Sequence, residues 1–146
     1  MLGNGFQVGQ REKSALVQQA VKDPEQFGYV FDVVQRHLLP LLGEAPVFFV
    51  VLDCMRLDQW RVISPLLARY FDIEESYHYS ILPTATPYAR NALFSGLYPL
   101  DIANGYPQWW IGAADHDGSR NAHEGDLLNE LLKRLGSPAV GSNRYY

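Results

Sequence analysis

Asp53 and Thr86 have the side-chain chemistry of a metal-assisted reaction and a spacing that would bring them together. Asp53 ends the apolar run of residues 46–52, a pattern typical of a strand buried on both faces. Thr86 is predicted as the N-cap of a helix with Pro87 at its first position, where a hydroxyl faces backbone N–H groups and the positive end of the helix dipole. About one strand–helix–strand unit separates the two residues, so neighbouring parallel strands would place both at one sheet edge. A carboxylate and an alcohol there can share a divalent cation.

The segments around this pair predict strands that alternate with helices. We expect a second strand over residues 76–82, an alternating run, followed by a helix that begins near Thr86 and stops at Gly96. Together with the apolar run of residues 46–52, this order is typical of helices packed on a parallel sheet. The fold prediction is therefore an α/β domain with a mostly parallel sheet and flanking helices.

Two further helices are predicted from their apolar periodicity. The first spans residues 57–70, and Pro65 inside it should end or kink it. The second spans residues 124–134, with its leucines on one side and Gly136 as its stop. Residues 97–107 are interpreted as turns.

Residues 1–44 are interpreted as a helical connector that precedes the main domain. Asp23, Pro24 and Gln26 form a helix start signal, and apolar residues recur at helical spacing from Phe27 to Leu38. The connector would pass a signal from an upstream domain to residues 45–146.

The composition is that of a globular domain without an extensive basic surface. Of 146 residues, 47% are hydrophobic and 19% are charged, which argues against disorder. The net charge of −4 argues against a general nucleic-acid coat. The one cysteine, Cys54, cannot form an intrachain disulfide. No membrane span and no signal peptide are visible, so we expect a cytoplasmic protein without membrane contact.

Two segments carry a resemblance to a known family. They are VLDCMRLDQW at residues 51–60 and ILPTATPYARNALFSG at residues 81–96. Together they resemble the PglZ domain of the alkaline-phosphatase superfamily, in the form found in PorX-type response regulators. The resemblance extends from about Phe27 to Tyr146, and it makes residues 45–146 the N-terminal part of such a domain. The superfamily's remaining metal ligands come from downstream strands beyond this length, so the chain is expected to be truncated and its metal site incomplete.

The resemblance implies a metal-dependent phosphoesterase, specifically a phosphodiesterase-like enzyme. Asp53 would bind a metal, and Thr86 would bind metal and act as the nucleophile. The complete domain would hold two divalent ions, zinc by resemblance. Expected partners are a phosphate-ester substrate, with nucleotide-type esters as candidates, and the receiver domain and sensor kinase of a two-component system. A homodimer is also left open. The alternative is a signalling or interaction module of a response regulator, without catalysis.

The other polar residues near the motifs leave alternatives open. Arg56 and Arg90 either form surface ion pairs or hold phosphate oxygens bidentately, and Asn91 lies about one turn beyond Thr86, within reach of a substrate. These three are the predicted substrate-binding residues. Thr84 competes with Thr86 for the role of nucleophile. The loop residues Asp115, His116, Asp117 and His123 are interpreted as solvated rather than as ligands.

Overall fold

The computed structural model describes residues 27–43, 45–110, 119–140 and 144. Four α-helices lie within these residues: α1 (Leu57–Leu67), α2 (Thr86–Ser95), α3 (Pro99–Gly105) and α4 (Glu124–Arg134). An irregular helical segment precedes them, in which the π-helical turn Val34–Leu38 lies between the 3-10 turns Val30–Asp32 and Leu39–Leu41. Residues 46–52 have no assigned secondary structure and alternate in exposure as an extended segment does, and a turn at residues 53 and 54 then leads toward α1.

The core forms where α2 packs against α4 and against the irregular helical segment. On α4 the buried leucines recur at spacings of three and four residues, which places them on one face of the helix. On α2, Ala92 is fully buried in this core. The buried apolar side chains of this core are Val30, Val34, Leu38, Ile81, Ala92, Leu93, Phe94, Ile102, Leu127, Leu128, Leu131 and Leu132.

Both predicted glycine stops are confirmed. Gly96 caps α2 in the left-handed conformation (φ 64°), and its N–H donates to the carbonyl of Ala92. A Cβ at this position would lie 2.7 Å from Leu131 Cδ1, so a larger residue would be both strained and crowded. Gly136, beyond the end of α4, has a φ of 63°. At the other end of α2, Thr86 is the first helical residue rather than the cap, which is Ala85.

The predicted parallel sheet is wrong for the part of the chain that the structure describes. No strand occurs in these residues, and the alkaline-phosphatase-like α/β arrangement expected from the sequence is replaced by packed helices. Residues 46–52 are extended, but they lack a ladder partner there. Residues 76–82 contribute one isolated parallel bridge, between Tyr79 and Tyr29.

The sheet prediction was wrong because an apolar run indicates burial and does not identify a hydrogen-bonding partner. The alternating burial along residues 47–51 shows that one face of the segment is covered by helices, as where Phe49 packs edge-on against Phe94 at 6.0 Å. The opposite face is open, and Phe48 is 89% exposed. An apolar run therefore predicted burial on both faces where burial occurs on one, and it carries no information about a hydrogen-bonding partner.

Other elements differ from the sequence predictions in smaller ways. The segment of residues 97–107, interpreted as turns, contains α3, whose first residue Pro99 is a recognised helix-start signal. Helix α1 continues two residues past Pro65 and ends at Leu67.

The helix start predicted at Asp23 lies outside the described residues. The boundary between connector and domain stays a prediction, and the core includes residues from both sides of it. Among the helices described, none has the length and apolar character needed to cross a membrane.

Shortening a core leucine should cost far more stability than shortening an exposed one. We expect Leu132→Ala, at a site that is 2% exposed, to lower the free energy of unfolding by about 2–5 kcal/mol, because it leaves a cavity between α2 and α4. Leu100→Ala on α3 is the matched control, since Leu100 is 70% exposed. Urea denaturation followed by circular dichroism measures both. Equal losses in the two variants would contradict the core described above.

Candidate active site

Asp53 and Thr86 lie side by side at the N-terminal end of α2. The hydroxyl Oγ1 of Thr86 donates a hydrogen bond to Asp53 Oδ2 at 3.2 Å. Helix α2 and the turn that follows the extended segment position the pair, so the contact does not depend on the sheet that was expected to create it. The catalytic and metal-binding roles of the two residues stay predictions, but their side chains are close enough to act on the same group.

A strained turn fixes the Asp53 carboxylate. Cys54 adopts a positive φ of 59°, which is uncommon for a residue other than glycine. In this conformation the Cys54 N–H donates to Asp53 Oδ1 at 2.7 Å. One carboxylate oxygen is thereby held by the backbone, and the other is directed to Thr86. Strain of this kind persists where the surrounding structure requires it, and it is concentrated at functional sites.

Arg90 connects this pair to a buried carboxylate on α4. Thr86 and Arg90 are four residues apart on α2 and therefore lie on the same face of the helix, one turn apart. One guanidinium nitrogen of Arg90 lies 3.8 Å from Asp53 Oδ2, and the other donates to Glu124 Oε2 at 2.5 Å. The Glu124 side chain is fully buried, whereas that of Asp53 is 41% exposed.

Sequence reasoning missed Glu124 as a member of this site. An acidic residue in the first turn of a helix is ordinary, because it complements the helix dipole. A second signal was available: Glu124 lies three, four and seven positions before the core residues Leu127, Leu128 and Leu131, and so falls on the same apolar stripe. A carboxylate on a buried stripe needs a cationic partner, which the structure identifies as Arg90.

Asn91 is buried and braces the turn that leads into α4. Its side-chain amide donates to the carbonyls of Pro87 at 2.8 Å and Arg120 at 2.9 Å. The amide of Asn121 in turn lies 3.4 Å from the carbonyl of Thr86. These contacts hold the turn of residues 120–123 against the start of α2. The substrate-binding role of Asn91 stays a prediction, and the contacts described here are structural.

Arg56 and His123 also have local partners. Arg56 forms two exposed hydrogen bonds with Asp58, at 3.0 and 2.9 Å, and these bonds lower the pKa of the Asp58 carboxyl to about 2. His123 contacts Asp126 at 2.9 Å and stacks on Trp109. The substrate-binding role of Arg56 stays a prediction. The loop residues Asp115, His116 and Asp117 lie outside the described residues.

Two clefts flank the site. One, of about 680 Å³, is lined by residues 51–55 and by side chains of α1, and it opens directly at Asp53. The other, of about 1090 Å³, runs between the extended segment and helices α2 and α4 and reaches Arg90. The smaller volume lies within the range of small-molecule sites, roughly 300–1,000 Å³, and the larger one slightly exceeds it. The polar cluster therefore lies between two mostly apolar clefts.

Asp53 and Thr86 fit part of a divalent-metal site. A carboxylate oxygen and a hydroxyl oxygen 3.2 Å apart can coordinate one cation together, and oxygen donors suit hard and borderline divalent ions. Two donors are fewer than the four that a zinc ion requires. Within the ranges that the structure describes, no three His, Cys, Asp or Glu side chains are grouped to complete such a site.

The family comparison agrees with the sequence motifs. The chain belongs to the PglZ family, since the family profile described as "BREX system PglZ alkaline phosphatase-like domain" matches residues 33–143, well over half of the chain. The family is alkaline phosphatase-like, which suggests a phosphoesterase-type relationship, and proteins of this kind generally use metal ions. No curated protein matched the sequence.

Removing the Asn91 amide should destabilise the protein, because two carbonyl oxygens would lose a donor. We expect Asn91→Ala to lower the free energy of unfolding by about 1–3 kcal/mol, whereas Asn104→Ala, at an exposed position of α3, should change it little. Thermal or urea unfolding measures the difference. Unchanged stability of Asn91→Ala together with weaker phosphate-ester binding would favour the substrate-binding role instead.

Proposed function

We propose that this domain is a metal-dependent phosphoesterase in which Thr86 is the nucleophile. The observation that supports it most directly is the hydrogen bond from the Thr86 hydroxyl to Asp53, at the positive end of α2, in a chain of phosphatase-type ancestry. A free threonine hydroxyl is a weak nucleophile and needs an adjacent base or a metal. Asp53 Oδ2, 3.2 Å from Thr86 Oγ1, is the oxygen that would hold such a metal beside the hydroxyl.

The reaction follows from this arrangement. As Thr86 Oγ1 attacks the phosphorus, its proton passes to water, because Asp53 Oδ2 would hold the cation, and the ester oxygen leaves with the electron pair of the broken P–O bond. The phosphoryl group is then carried by Thr86 until water attacks the phosphorus. The P–Oγ1 bond breaks, Thr86 Oγ1 takes up a proton from the attacking water, and phosphate or a monoester is released. Because Asp53 is held by the Cys54 N–H, it orients the hydroxyl without moving during the reaction.

Charge explains why a cation would be needed. Asp53, Arg90 and Glu124 place two carboxylates beside one guanidinium, so the cluster has an excess of negative charge that would repel an anionic ester. The first turn of α2 offers limited compensation, since Pro87 has no N–H and the N–H groups of Tyr88 and Ala89 donate to the Ala85 carbonyl. A divalent ion, zinc by resemblance, would supply the missing positive charge and lower the pKa of the Thr86 hydroxyl.

The substrate class is a phosphate ester with an organic group that the cleft beside Asp53 accommodates. Residues 51–55 and α1 give this cleft a largely apolar wall, which suits an aromatic or aliphatic ester group better than inorganic phosphate alone. We propose a phosphodiesterase-like activity on this basis, with nucleotide-type esters as candidates. The upstream receiver domain and the sensor kinase stay predictions from the sequence resemblance.

Thr86→Ala should abolish hydrolysis of a chromogenic phosphodiester while leaving the fold intact. The matched control is Thr84→Ala, because Thr84 is exposed and lies two residues earlier. We expect the control to retain activity within about twofold and Thr86→Ala to lose at least about a thousandfold, as nucleophile removal generally does. Equal rates in wild type and Thr86→Ala would exclude the nucleophile assignment. Cation binding without hydrolysis in the wild type would favour the alternative, a signalling or interaction module.

Asp53→Asn should weaken divalent-cation binding, because an amide oxygen replaces a charged one while the shape of the side chain is retained. We expect at least about a tenfold loss of affinity, since changes to the outer-shell partners of metal ligands alone typically cost about 10–100-fold. Titration of the metal-stripped protein with Zn²⁺ measures it, and Asp101→Asn, at an exposed position of α3, is the control. Affinities that do not differ between the two variants would remove Asp53 from the metal site.

A further inference from the structure

Of the two carboxylates described beside Arg90, Glu124 is the closer charge partner and Asp53 the more distant one. The contact from Arg90 to Glu124 measures 2.5 Å, against 3.8 Å for the contact to Asp53. Glu124 is fully buried, so its interaction with the guanidinium is weakly screened, whereas the pair with Asp53 is partly open to water. Because Glu124 is both closer to Arg90 and more deeply buried than Asp53, the guanidinium interacts more strongly with Glu124 on α4 than with Asp53.

The stronger pairing of Arg90 with Glu124 affects how Asp53 can interact with a cation. A guanidinium in direct contact with Asp53 Oδ2 would compete with a cation for the same oxygen and would raise the local positive potential. At 3.8 Å the guanidinium is near enough to limit repulsion between the two carboxylates, yet it is beyond direct hydrogen-bonding distance of Asp53. Helix α4 fixes the position of Glu124, because the following leucines anchor that helix in the core.

We propose that Glu124 is a positioning residue that holds Arg90 on the α4 side of the site and so keeps Asp53 available to a divalent cation. The inference rests on the proposed function, since it assigns a role toward the same cation. Glu124 itself is buried away from solvent and contacts neither the cation nor the substrate. Its effect reaches Asp53 through the guanidinium of Arg90.

A double-mutant cycle separates this role from a structural one. The variants are Glu124→Gln, Arg90→Gln and the double variant, each titrated with Mn²⁺ alone and followed by electron paramagnetic resonance. Mn²⁺ prefers oxygen donors, which limits competition from the exposed thiol of Cys54. Glu130→Gln on the same helix is the matched control, since Glu130 pairs with Lys133 at the surface.

We expect Glu124→Gln to bind Mn²⁺ on the order of tenfold more weakly, because Arg90 loses its buried counter-ion and its charge shifts toward Asp53. The double variant removes both charges, so its affinity should return to within about twofold of the wild-type value. Glu130→Gln should match the wild type. Wild-type affinity in Glu124→Gln, or a double variant as weak as Glu124→Gln, would overturn the proposal. If Glu124→Gln does not fold, the Mn²⁺ affinity of the double variant still tests the proposal.

A second measurement distinguishes failure of this inference from failure of the proposed function. Nitrogen-15 NMR of the metal-free chain reports whether the terminal nitrogens of Arg90 give two resolved signals, as expected for a guanidinium held by Glu124, and whether they merge in Glu124→Gln. A wild type that binds no Mn²⁺ would overturn the proposed cation site, and resolved signals would still support the positioning of Arg90. Merged signals in the wild type would overturn the positioning itself.

Discussion

The ion pair between Arg90 and Glu124 joins α2 and α4 and contributes to the electrostatic potential around Asp53. A buried carboxylate is unfavourable unless a cation accompanies it, so the start of α4 must stay beside the middle of α2. The buried apolar side chains of the two helices belong to one core cluster, which favours the same placement. Packing and charge therefore favour one relative placement of the helices, and Thr86, one turn from Arg90, is placed with them.

Local signals in the sequence predicted local structure well. Gly96 and Gly136 ended their helices as expected, because a left-handed residue at a helix end is a short-range steric matter. The long, periodic helix α4 was predicted with its observed bounds. The sheet failed as a prediction because a strand requires a partner far away in the chain, and an apolar run such as residues 46–52 packs equally well against helices.

The candidate site could be predicted in part from motifs that resemble a family, rather than from local structural signals. Asp53 and Thr86 were found through motifs that resemble a family, and the structure places them 3.2 Å apart even without the expected sheet. Glu124 was missed because burial of a single carboxylate depends on the tertiary neighbour that neutralises it. The left-handed conformation of Cys54 could not be predicted either, because cysteine is not a residue type that indicates a positive φ. Both omissions concern features that only the assembled fold creates.

The hydrogen bond from the Cys54 N–H also limits how Asp53 can coordinate an ion. With Oδ1 engaged by the backbone at 2.7 Å, Asp53 would present Oδ2 alone to the cation of the proposed site, as a monodentate ligand. Under the proposed function, the turn after Asp53 would therefore fix how many oxygens this side chain contributes to a coordination shell before any ion arrives.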